Sequence, residues 1–73
     1  MEYTQVNIRL EQLDPFADII VARLNEIEFE SYAEDESGVN AYVQTHLLDE
    51  KAVAEVLAEV AKLKKLSYTI QKV

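Results

Sequence analysis

The stretch from Phe29 to Gln44, FESYAEDESGVNAYVQ, constrains this chain most, because it sets the sole glycine, Gly38, between two runs that alternate with a period of two. Phe29, Ser31 and Ala33 alternate with Glu30, Tyr32 and Glu34. Beyond the acidic turn, Val39, Ala41 and Val43 alternate with Asn40, Tyr42 and Gln44. That period belongs to strands with one face on a core and the other on solvent. Glu36-Ser37-Gly38 suits a three-residue hairpin loop, a type I turn closed by a glycine in the left-handed conformation. Pairing then sets Asp35 against Val39 and Tyr32 against Tyr42. On this register the small and apolar residues share one face, as burial demands, and the two tyrosines lie side by side on the other.

The flanking segments supply the remaining elements. From Tyr3 to Glu11, Val6, Ile8 and Leu10 alternate with Gln5, Asn7 and Arg9, which predicts a strand. Asp14-Pro15 then gives a helix start, with Asp14 as the cap and proline at the first helical position. Phe16, Ile19, Ile20, Leu24 and Ile27 recur at helical spacing, so the helix is expected over Pro15 to Ile27. No glycine closes it; Glu28 stands where one would help. A second cap, Asp49, precedes the stripe Val53, Val56, Leu57, Val60 and Leu63, backed by Lys51, Glu55, Glu59 and Lys62. Ser67 to Val73 alternates again and reads as a last strand.

The order is strand, helix, strand, strand, helix, strand. With right-handed crossovers, each half is a split βαβ unit. The expectation is an α+β, ferredoxin-like two-layer sandwich: one antiparallel sheet in the order 4-1-3-2, with both helices on one face. The predicted core comprises Val6, Ile8, Leu10, Phe16, Ile20, Leu24, Phe29, Ala41, Val43, Val53, Leu57, Val60 and Ile70. Seventy-three residues allow one domain, 1–73, near the lower size limit for a self-sufficient core. Without cysteine, packing has to stabilise it unaided by disulfides. No apolar run approaches a membrane span and no basic, greasy leader opens the chain, so a cytoplasmic location is expected.

Charge narrows the partners. The net charge is −7, and residues 1–36 carry ten acids against two bases. Such a domain repels phosphate backbones and attracts basic protein surfaces, although solubility alone also accounts for the charge. One glycine excludes phosphate-binding glycine loops and the dinucleotide fingerprint. Glu34, Asp35 and Glu36 lack the spacing of a calcium loop, and a solvated acidic turn accounts for them. His46, the single histidine, and Ser31, Ser37 and Ser67 have no neighbours suggesting a general base or an activated nucleophile. No catalytic residue, resident cofactor or metal is expected in this chain.

A sheet covered on one side leaves its other face open, and tyrosine amid Asn and Gln is a usual interface composition. The candidate partner-binding residues are Tyr32, Tyr42, Glu30, Glu34, Asn40 and Gln44. A simple cross-strand tyrosine pair gives the same pattern. RNA-recognition domains share the topology, and Gly38-Val39-Asn40-Ala41-Tyr42-Val43 has a faint look of their aromatic strand. The acidic flanks of Tyr32 and the negative charge argue against that reading.

The same residues carry a family resemblance. Phe29-Glu30-Ser31-Tyr32, an acidic turn, and Gly38-Val39-Asn40-Ala41-Tyr42-Val43-Gln44 resemble the start of the bacterial ribosomal protein L-eleven methyltransferases, particularly their Bacteroidetes branch. The opening strand, the first helix and Leu48-Asp49-Glu50 are similar too. Glu28 departs from the family's usual glycine. The resemblance implies a small ferredoxin-like domain that recognises a basic protein of the large ribosomal subunit. It further implies a separate catalytic domain, absent from this chain, which binds S-adenosylmethionine and methylates lysine and N-terminal amino groups. The competing expectation is a stand-alone regulatory or dimerisation module of ferredoxin-like or ACT type.

Overall fold

The computed structural model describes residues 2–73. The elements follow the predicted order: β1 (Tyr3–Leu10), α1 (Phe16–Asn25), β2 (Ser31–Asp35), β3 (Gly38–Gln44), α2 (Glu50–Ala61) and β4 (Leu66–Lys72). A short 3-10 turn, Thr45–Leu47, joins β3 to the approach of α2. The sheet runs β2-β3-β1-β4 with every pairing antiparallel, which is the expected order read from the other edge. It is an α+β, two-layer, ferredoxin-like fold.

Alternation along β1 and β3 builds the interior. Val6, Ile8 and Leu10 meet Val39, Ala41 and Val43 on the covered side of the sheet. Ile20 and Leu24 of α1, with Val53, Val56, Leu57 and Val60 of α2, close over them. Phe29 seals one end, whereas Phe16 and Ile70, expected inside, are only partly buried. Ala17, Val39 and Val56 take up the remaining interior space. Thr4 is also buried, and its hydroxyl is satisfied by the Thr45 hydroxyl at 2.9 Å.

Three local expectations are corrected. Asp14 does not cap α1: Pro15 holds the cap position, no side chain bonds to the helix amides there, and the Asp14–Pro15 peptide is cis. The first turn is instead tied by the Ala17 amide donating to the Leu13 carbonyl at 2.5 Å. α1 ends at Asn25, two residues before the expected Ile27, and the chain reverses at Glu28 with φ 78°. The Phe29 amide returns to the Leu24 carbonyl at 3.3 Å, the bond that closes a helix through a left-handed residue. Leu63, the last member of the predicted stripe, lies beyond the end of α2 and is 67% exposed. Asp49 caps α2 as expected, its carboxylate accepting from the Ala52 amide at 3.1 Å.

The hairpin differs most. Asp35 faces Gly38 and Tyr32 faces Ala41, so the turn has two residues, Glu36 and Ser37, rather than three. Neither has a positive φ, so this is not one of the mirror-image turns usual at that length. The Asp35 carboxylate holds it by accepting from the Ser37 amide and hydroxyl, both at 2.8 Å, and from the Gly38 amide at 3.1 Å. Gly38 is required for a reason other than left-handed closure. A Cβ there would strike the Ile8 carbonyl of β1.

Candidate functional site

The changed register redistributes the predicted site. Directly paired residues share a face, so Tyr32 opposite Ala41 and Glu34 opposite Val39 belong to the helix side of the edge strand β2. Tyr32 is half-buried there, its hydroxyl donating to Asn25 Oδ1 at 2.6 Å, with the Val21 carbonyl at 3.4 Å. Burial pushes its phenol pKa up. The expected Tyr32–Tyr42 pair on the open face is therefore absent.

Glu30, Asn40, Tyr42 and Gln44 do share the open face. Glu30 gets there through a local irregularity. Its amide donates to the Tyr42 carbonyl at 3.0 Å, while Ser31 is the residue that faces Tyr42. Two residues thus oppose one, as in a β-bulge, and the parity of the strand changes at that point. Phe29 can then enter the core while Glu30 reaches Gln44 Nε2 at 3.5 Å on the opposite side.

The pairings define the face as rows running across the sheet. Ser31, Tyr42, Gln5 and Gln71 form one; Ala33, Asn40, Asn7 and Thr69 form the next. At one end stand Tyr3 and Gln44. At the other, Arg9 binds the Ser37 hydroxyl at 2.6 Å and lies 3.7 Å from the Asp35 carboxylate. The Ser37 hydroxyl and amide, ahead of Arg9, hold the Asp35 pKa below its ordinary value. Tyr3 was not among the predicted site residues, although it lies two residues from Gln5 and so on the same face of the strand. It lies diagonally beside Tyr42, and the two line a shallow depression with Ser31 and Val73. Its interaction with the Glu30 carboxylate raises the phenol pKa, with desolvation and the carboxylate's charge adding to the effect.

Among the described residues no three His, Cys, Asp or Glu side chains gather as a metal set, and no helix is long and apolar enough to cross a membrane. The face offers tyrosine surfaces, carboxamides and carboxylates. The Oδ1 atoms of Asn7 and Asn40, opposite each other in the middle rows, are buried without a partner.

Comparison with known proteins adds one relative. A protein from Phocaeicola vulgatus is 46% identical over 41 residues, a stretch covering 56% of this chain and 15% of that protein. Its name is ribosomal protein L11 methyltransferase. This chain is similar to part of such a methyltransferase. The Bacteroidetes resemblance read from Phe29 to Gln44 is thereby supported by an independent alignment. No family model matches the chain, and no solved structure does. The matched stretch is a small fraction of that methyltransferase's length.

Proposed function

We propose that this chain is the substrate-recognition domain of a protein methyltransferase acting on a basic protein of the large ribosomal subunit, and that its open sheet face is the docking surface. The observation that carries this reading is the 46% identity to a ribosomal protein L11 methyltransferase. The geometry is compatible with it: a face carrying Tyr3, Tyr42 and carboxamides, on a domain of net charge −7, complements a cationic surface. The partners are then the basic ribosomal protein and the catalytic domain of the parent enzyme, in the cytoplasm where such substrates occur.

S-adenosylmethionine belongs to that other domain. The residues here do not fit it, because its usual cradle is a glycine-rich turn between a parallel strand and a helix. The single glycine sits in an antiparallel hairpin against the backbone of β1. The chain's contribution is to hold the substrate protein, with the chemistry carried out elsewhere.

Titration calorimetry with purified ribosomal protein L11 tests the reading. Saturable binding that weakens with added salt supports it. Absence of binding at high micromolar concentration and low salt refutes it.

A further inference from the structure

The open face carries a shallow depression lined by two tyrosines. Tyr3 faces Gln44 and Tyr42 faces Gln5, so the two tyrosines are diagonal neighbours flanking a shallow depression. The bulge at Glu30-Ser31 brings the Glu30 carboxylate to the same edge. The Tyr3 hydroxyl hydrogen-bonds to it and Gln44 Nε2 donates at a long 3.5 Å, but among the described residues no cation forms an ion pair with it. By contrast Asp35, the other carboxylate on this face, is occupied by Ser37, Gly38 and Arg9. Two aromatic faces beside a carboxylate free of any cation form a site for a positive charge.

We propose that the depression lined by Tyr3, Ser31, Tyr42 and Val73, with the Glu30 carboxylate beside Tyr3, receives a lysine or arginine side chain of the protein that docks on the open face. This rests on the recognition reading above and assigns its anchor. The aromatic rings flank the aliphatic stem and the cation, and the carboxylate pairs with the charged head. An apolar side chain would leave the Glu30 carboxylate partly desolvated with no compensating charge, so it is disfavoured.

The test uses short peptides of alternating glycine and lysine, glycine and arginine, or glycine and norleucine, with the ring resonances of Tyr3 and Tyr42 followed by NMR. The cationic peptides should shift both rings saturably, and the norleucine peptide should not. Comparing the lysine and arginine series shows which cation is preferred. Tyr42→Leu should weaken cationic peptide binding about two- to fivefold. Glu30→Gln, at an exposed position where folding is not at stake, should weaken it and lessen its salt dependence. Equal shifts from lysine and norleucine peptides, or full affinity in Glu30→Gln, overturn the proposal. Ribosomal protein L11 titrated into the same variants separates the two readings. Unchanged affinity in both variants removes the anchor and leaves recognition standing. Peptide binding that behaves as expected, with no binding of the ribosomal protein, retains the anchor and removes that substrate.

Discussion

At the scale of single residues, Glu28 is the clearest departure from local preference. An L-residue in the left-handed region costs about 1–2 kcal/mol, and glycine's extra chain entropy returns about half of that. Glu28→Gly, which restores the glycine usual in the resembled family, should therefore stabilise the fold by about 0.5–1 kcal/mol in urea denaturation. A destabilised variant would mean that Glu28 makes a contact outweighing its backbone conformation. Tyr32 provides the second test at this scale. Its hydroxyl bonds to Asn25 on the helix side, so Tyr32→Phe should lower stability by about 0.5–1.5 kcal/mol and leave partner binding unchanged. Lost binding at unchanged stability would restore the Tyr32–Tyr42 pairing. Asp35 gives a pH dependence of known sign. Its folded pKa lies below its ordinary value of 3.8, so its contribution is complete above that value and is lost as pH falls through the folded pKa. Asp35→Asn should flatten that acid limb of the stability profile.

At the scale of elements, the sequence was most legible where a stripe or an alternation had a buried face to report. α2 shows a capping aspartate and an apolar stripe, and Leu57 near its centre is 1% exposed. Leu57→Ala should cost about 2–5 kcal/mol, a large part of the stability of so small a domain. Leu63→Ala, past the helix end and exposed, should change stability by less than about 0.5 kcal/mol. Similar losses from both in thermal melts would show that α2 is placed or bounded wrongly. β1 and β3 were equally legible, because each sets apolar residues strictly against polar ones. β2 was not. It is an edge strand with four of its five residues exposed, so hydrophobic patterning hardly marks which side is which. Phe29 suggested a parity that the bulge at Glu30 reverses, and a carboxylate-held two-residue turn resembles a glycine-closed three-residue one in sequence. Those two local features moved Tyr32 and Glu34 off the face while leaving Glu30, Asn40, Tyr42 and Gln44 on it.

At the scale of the whole molecule, two helices cover one side of a four-stranded sheet, and the other side carries the polar rows and the tyrosine depression. The α1 and α2 surfaces offer a different chemistry. Arg23 bridges them by pairing with Glu59 at 2.5 Å and Glu26 at 3.4 Å, a half-exposed arrangement that contributes little and leaves no cluster aimed outward. The one glycine lies in an antiparallel hairpin rather than in a glycine-rich turn after a parallel strand, so calorimetric titration of this chain with S-adenosylmethionine should give no saturable heat. Micromolar binding would place a cofactor site on residues that show none. The central claim is that the open face docks a basic ribosomal protein, and amide NMR mapping with unlabelled ribosomal protein L11 tests it most directly. The expected result is that perturbed amides cluster at Tyr3, Gln5, Ser31, Asn40, Tyr42 and Gln44, with α1 and α2 silent. Perturbations confined to the two helices, with the sheet rows unmoved, would contradict it.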